Sequence, residues 1–405
     1  MQHVSRHPEK DVCRVLSISW VGIIEQKRSL PVTSDLRRWQ RLEKGGNIPK
    51  WKVILFSSLP VLLLALIVLV TAEVWLRTRY RTIASITGMN EWKEGTGNDL
   101  TFYWDKYHPT YGWTNLPGYR SDARVPFKVT INNQGLRGQR DYSLTRTKGM
   151  KRMAVLGDSF TFGEDVDDDQ TLPVYLERML KDAEVLNFGV HGHGLDEMTL
   201  RLEDVFAYDP DHILLVLAIP PDLERTVLYN YDHPMPAFTI EDGSLVAKNI
   251  PVPVTFRQRS FLRNSYLLAW LLDRPRHKAE SDAMILRVSR ELLNQAVRLC
   301  ADRGIQLTVV LITGPSWIVA ADTMQETADW MDACRRMVVA TVADVSDQID
   351  FMHDLLHREQ NIAAREDIHW SGHGNCHLAE RLAQELIKKR HGWKHSASSA
   401  ERICP

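Results

Sequence analysis

From Val53 to Ala72 the chain reads VILFSSLPVLLLALIVLVTA, with no charged side chain in 20 positions. About 20 apolar residues in a helix span the hydrocarbon core of a bilayer. A helix buried in a soluble core rarely runs this long without a polar face, and this run has none. A cleaved signal peptide fits less well, because the run is long and about 50 residues stand before it. The expectation is a single transmembrane helix over 52–76, with Pro60 inside it. It divides the chain into a polar, basic and poorly ordered tail over 1–51 and a large part that follows. Arg37, Arg38, Arg41, Lys44, Lys50 and Lys52 precede the run, and Arg77, Arg79 and Arg81 follow it. The N-terminal side is the richer in positive charge. The positive-inside rule therefore puts the N-terminus in the cytoplasm and the large part outside, in the periplasm.

That large part carries no sign of a nucleic-acid binder. The chain has 50 basic against 51 acidic residues, whereas nucleic-acid binders show a concentrated basic face. Cys300, Cys334, Cys376 and Cys404 would lie in the exported part without CxxC or metal-like spacing. One disulfide is possible there, and its pairing is not legible.

Residues 77–150 are rich in aromatics, glycine and proline. YHPTYGWTNLPGYR and VTINNQGLRG predict short extended pieces joined by turns. This segment reads as a lead-in that packs on the domain over 151–392. In that domain, RMAVLGD, EVLNFGV, HILLVLAI and IQLTVVLI read as buried strands, and IDFMHDL as a short fifth. TLPVYLERMLKD, LDEMTLRLEDVFAY, Asp282 to Asp302, TMQETADWMDACRRMVVATVADV and a closing stretch from near Gly374 read as helices. An insertion over about 224–280 holds a hairpin, AFTIEDGSLVAK, and an amphipathic stretch, SFLRNSYLLAWLLDR. Residues 393–405 form a C-terminal tail. Alternating strands and helices predict an α/β fold with a parallel sheet covered on both faces. In such sheets ligands bind beyond the carboxyl ends of the strands.

Three loops at that end carry chemistry. GDSF places Ser159 just past the first strand, where it needs a base to act as a nucleophile. NFGVHGHG, Asn187 to Gly194, offers glycine N–H groups that can approach an oxyanion. His191 and His193 there read as solvated loop residues rather than metal ligands, and no cofactor is expected. REDIHWSGHG places His369 beside Glu366 and Asp367. A carboxylate next to a histidine can fix its tautomer.

As a set, GDSF, NFGVHGHG about 30 residues later, and the carboxylate–histidine pair resemble the SGNH (GDSL-like) hydrolases, from about Lys151 to Arg390. The segment GWTNLPGY…INNQGLRG also looks like what precedes the domain in membrane-anchored bacterial members. The resemblance implies a three-layer α/β/α, flavodoxin-like parallel sheet. It implies Ser159 as nucleophile and oxyanion donor, Gly192 as a second donor and His369 as base. The acid is Asp367 or Glu366, with Asp367 preferred. The chain departs from the family at its third block. Pro221, followed by Asp222, stands where an asparagine would give a further oxyanion donor, and proline has none to give. Asn187 or His193 could substitute.

The expected function is a membrane-anchored extracytoplasmic serine esterase. Its partner would be an ester-bearing substrate, with acylated carbohydrate a candidate, and aromatics of the lead-in could line a sugar groove. One alternative is an O-acetyltransferase or deacetylase acting on an exported polysaccharide. The other is a degenerate domain that binds a glycan or a partner without turnover.

Overall fold

The structure is a computed structural model describing residues 50–79, 104–228, 234–252, 265–267, 278–364, 368–389, 392–396 and 404. The apolar run forms helix α1, Lys50–Arg79. Within its stretch Ser58–Arg79, an 18-residue window has a mean hydropathy of 2.5 and is 6% buried. Leu59, Leu62, Leu66 and Val70 are all more than half exposed. The helix is long and apolar enough to cross a membrane, and it is apolar on every side, as a membrane span is.

The lead-in contains an antiparallel hairpin, β1 (Asp105–His108) and β2 (Gly112–Asn115). The main sheet consists of β3 (Lys151–Leu156), β4 (Ala183–Asn187), β5 (His212–Ala218), β8 (Gln306–Ile312) and β9 (Val345–Asp347). A separate hairpin, β6 (Ala237–Glu241) and β7 (Ser244–Lys248), sits between β5 and β8 in the chain, and Asp242 and Gly243 make its turn at positive φ. The main sheet is parallel throughout, in the order β4-β3-β5-β8-β9. Counted along the sheet's own strands this is 2-1-3-4-5, the flavodoxin-like order, whose topological switch lies between the carboxyl ends of β3 and β5.

Side-chain alternation along these strands divides the core in two. Ala154, Leu156, Ile213, Leu215, Val309 and Leu311 face one way, under α4 (Leu195–Leu200), α5 (Leu202–Phe206), α7 (Lys278–Asp302) and α9 (Gln325–Thr341), with α8 (Pro315–Thr323) beside α9. Met153, Val155, Leu214, Val216, Val310 and Ile312 face the other way, under α3 (Leu172–Met179), α10 (Ile349–Arg358) and α11 (Gly372–Lys388). The strands read as unbroken apolar runs because both of their faces are covered.

Two expectations change. LDEMTLRLEDVFAY is two short helices, α4 and α5, meeting at Arg201, whose guanidinium donates to the Phe188 carbonyl at 2.7 Å. IDFMHDL is not the fifth strand. It begins α10, and the strand is the preceding Val345–Asp347. Ile349, Met352 and Leu355, spaced by three, are the buried positions, a helical period hidden in a short apolar run. The amphipathic stretch SFLRNSYLLAWLLDR lies outside the described residues except at 265–267. Cys376 on α11 is disulfide-bonded to Cys404, with Cα atoms 5.4 Å apart, while Cys300 and Cys334 are buried thiols.

Candidate active site

At the carboxyl end of β3 the chain turns through Gly157 and Asp158 into α2, Ser159–Phe162. Asp158 caps this short helix by accepting from the Phe160 N–H at 3.0 Å. Ser159 is thereby held at the head of the sheet with little freedom. Its Oγ lies 2.8 Å from His369 Nε2. His369 comes from the segment before α11, more than 200 residues away in sequence. The Phe160 ring packs edge-on against the imidazole, with centroids 5.0 Å apart.

The other imidazole nitrogen, Nδ1, lies 2.8 Å from Asp165 Oδ2. Glu366 and Asp367, the expected acids, lie outside the described residues. The carboxylate found on Nδ1 comes from the serine's own loop, six residues after Ser159. Asp165 sits at φ +68, in the left-handed region. Aspartate enters that region more readily than most residues, at a cost of roughly 1–3 kcal/mol that the surroundings must offset. The turn it makes sends the chain back under His369. The signal for this was present in the sequence, because Glu164 and Asp165 directly follow SFTFG. Its distance from His369 in sequence conceals the pairing.

A carboxylate on Nδ1 holds the proton there and leaves the Nε2 lone pair facing the serine hydroxyl, the tautomer a general base needs. Burial pulls the His369 pKa down. The Asp165 hydrogen bond, with the charges of Glu164, Asp165 and Asp158, outweighs burial and leaves the pKa above the ordinary histidine value.

The second loop packs directly on α2. A Cβ on Gly189 would stand 2.2 Å from the Phe162 backbone nitrogen, so only glycine permits this contact. Asn187 spends its side chain inside the loop, donating to the Thr161 carbonyl at 2.9 Å and accepting from the Gly189 N–H at 2.9 Å. It is therefore committed and supplies no substitute oxyanion donor. His193 is not solvated, as expected from sequence, but fully buried. Its Nε2 is 3.0 Å from the Trp113 carbonyl and so carries the proton. Burial and then the charge of Arg201 keep its pKa well below the usual value. The neutral ring has no second N–H to give. His191 Nδ1 lies 2.6 Å from Glu164 Oε2. Gly192 is buried in this loop at φ +69.

The lead-in braces the same loop. Trp113 Nε1 donates to the His191 carbonyl at 2.7 Å, and Asn115 Nδ2 to the Gly189 carbonyl at 3.0 Å. Trp104 stacks on Phe162 with centroids 5.5 Å apart. Trp104, Tyr111 and Trp113 are buried. These aromatics form core and do not line an open groove.

Pro221 begins α6, Pro221–Glu224, just after β5. The adjacent Asp222 points inward. Its Oδ2 accepts from the Ala218 N–H at 2.7 Å, and its Oδ1 lies 2.6 Å from Arg225 Nη1. The same guanidinium nitrogen donates to the His193 carbonyl at 3.0 Å and to Asp158 Oδ2 at 3.3 Å. Burial first, then the neighbouring Asp158, pushes the Asp222 carboxyl well above the usual range, against the pull of Arg225. One arginine thus ties together the loops after β3, β4 and β5.

No protein-family model matches the chain, and neither does any curated protein. Several solved structures do. A lipase/acylhydrolase from Enterococcus faecalis is 13% identical, covering 61% of this chain and 99% of its own, with a TM-score of 0.37. A member of the lipolytic protein G-D-S-L family from Veillonella parvula is 14% identical, covering 59% and 98%, with a TM-score of 0.37. A catalytic mutant of Axe2, an acetylxylan esterase from Geobacillus stearothermophilus, is 15% identical, covering 60% and 96%, with a TM-score of 0.35. Likeness at this level does not carry chemistry from those proteins to this one, so the reaction has to be argued from this chain's own geometry.

Proposed function

We propose that the chain is a serine esterase, or a related acyl-transfer enzyme, held at the membrane by α1 with its α/β part on the extracytoplasmic side. The observation that carries the reading is the continuous hydrogen-bond chain Asp165–His369–Ser159. Ser159 Oγ bonds to the carbonyl carbon of an ester while its proton passes to His369 Nε2. Asp165 stabilises the imidazolium that results. The tetrahedral oxyanion rests on the N–H groups of Ser159 and Gly192. As it collapses, the alkoxide leaves with the proton from Nε2, and the acyl group stays on Ser159. An acceptor hydroxyl then repeats the steps in reverse. Water makes the enzyme an esterase or deacetylase, and a sugar hydroxyl makes it an O-acyltransferase.

The flanking charge bias supports the extracytoplasmic placement. So does the Cys376–Cys404 disulfide, since such bonds persist in oxidising compartments. That placement favours acyl esters of an exported polysaccharide as substrates. Full-length protein in detergent should hydrolyse p-nitrophenyl acetate, and Ser159→Ala should abolish the activity. Equal rates for the two proteins would refute the assignment.

Pro221 favours a second reading, ligand binding without turnover. A fluorophosphonate probe separates the two, because only an activated Ser159 is labelled.

A further inference from the structure

Away from this site, the end of α10 and the start of α11 bring three side chains together. His373 and His377 are spaced i, i+4 on α11, so they share one helix face. Glu359 directly follows α10. Glu359 Oε2 lies 2.6 Å from His373 Nε2 and 3.5 Å from His377 Nε2, and the two Nε2 atoms are 3.1 Å apart. All three groups are partly buried, with side-chain exposures of 35%, 17% and 24% for Glu359, His373 and His377.

A proton on His373 Nε2 satisfies its contact with Glu359, but one hydrogen cannot lie on all three edges of the triangle. The Nε2 lone pair of a His377 protonated on Nδ1 then faces the carboxylate oxygen at 3.5 Å. A cation at the centre satisfies all three contacts at once. Zinc bonds of 2.0–2.1 Å in a tetrahedron put ligand atoms about 3.3 Å apart, and the three observed separations bracket that value. Two imidazoles and a carboxylate are a donor set that zinc and its neighbours accept. His377 Nδ1 lies 3.8 Å from Glu380 Oε2, beyond hydrogen-bond reach but near enough for the carboxylate's charge to favour a proton on Nδ1 and leave Nε2 free to ligate.

We propose that Glu359, His373 and His377 bind a divalent transition-metal ion of the zinc class, which clamps the two ends of the segment presenting His369. The fourth position is open to water. Residues 360–372 run between the ligands. Among the described residues, Ser371 N–H donates to the Ile362 carbonyl at 2.7 Å, Ala364 N–H to the His369 carbonyl at 2.8 Å and Ser371 Oγ to the Asn361 carbonyl, and Ile362 and Trp370 are buried in the core. A metal at the base would hold His369 in place without touching substrate. The inference does not depend on the esterase reading.

A similar group, Asp322 with His353 and His357, is more open, with side-chain exposures of 46%, 38% and 56%, and serves as the internal control. The test is calorimetric titration of zinc chloride into metal-free, full-length protein lacking a polyhistidine tag. One zinc per chain should bind, at least about ten-fold more weakly after His373→Gln, His377→Gln or Glu359→Gln. His353→Gln with His357→Gln should leave the affinity unchanged. Glu359→Gln, at the most exposed ligand, gives the reading if the histidine variants misfold. Absence of binding overturns the proposal, as does wild-type affinity in Glu359→Gln together with a histidine variant. Hydrogen exchange of residues 360–372 should slow on adding zinc, and no change there overturns the clamp.

Discussion

Asp158 and Ser159 are adjacent in the chain but serve two polar clusters of opposite character. Asp158 faces inward to Arg225 and Asp222, where every member is at least nine-tenths buried. Ser159 faces His369 and Asp165, and the Asp165 side chain keeps 21% of its surface exposed. The inner cluster holds a guanidinium, which stays charged at any working pH. It joins the loops after β3, β4 and β5. The outer cluster holds an imidazole, whose charge can change near neutral pH. A fixed charge suits a structural tie, and a titrating ring suits proton transfer. Asp222 shows the division within one loop: the acid still anchors the inner cluster, while its neighbour Pro221 offers nothing to an oxyanion.

The comparison can be broken most forcefully on the outer side. Ser159→Ala or His369→Ala should lower kcat/KM on p-nitrophenyl acetate by about 10⁴-fold or more, with little change in the urea midpoint. A large loss of stability instead would make the outer cluster structural. Asp165→Asn should cost about 10⁴-fold, whereas Glu366→Gln and Asp367→Asn should stay within about two-fold. If either of those two matched Asp165→Asn, the acid would be misassigned.

The pH profile sharpens the same point. His369 must be neutral to accept a proton, and its pKa is raised, so the acid limb of kcat/KM should lie above the ordinary histidine value of about 6.5. Asp165→Asn removes the carboxylate charge and leaves at most a neutral, weaker hydrogen bond on Nδ1, so the limb should move to lower pH. The raised pKa also has a stability consequence of opposite sense. Protonated His369 stabilises the fold fully below the unfolded-state value, and that contribution fades as pH climbs through the folded-state value.

On the inner side, Arg225→Met should cost about 3–5 kcal/mol of stability by urea unfolding, because two buried acids lose their partner. A loss of activity at full stability would place Arg225 in the outer cluster. The smallest effect is expected of Pro221→Asn. A restored side-chain donor should raise kcat by about 10²-fold, and no gain would mean that the site is not short of one.

Much of the architecture was legible because it rests on local pattern. Buried strands announce themselves as apolar runs, and HILLVLAI is β5 almost residue for residue. The hairpin at Asp242–Gly243 follows from backbone preferences of those two residues. Short apolar pieces were less readable, since IDFMHDL fits a strand or the first turns of a helix until the sheet selects Val345–Asp347.

The sequence by itself determined the membrane-length helix, the alternation that makes a parallel sheet, and the loops carrying Ser159 and His369. Those depend on contacts within a few residues. Only the tertiary structure decided which carboxylate meets His369, which cysteines pair, and that His193 is buried with its one proton committed. Each of these depends on where distant segments come to rest. Closeness in sequence to His369 is not closeness in space: Asp165 is 204 residues away, and a left-handed turn brings it within hydrogen-bonding reach.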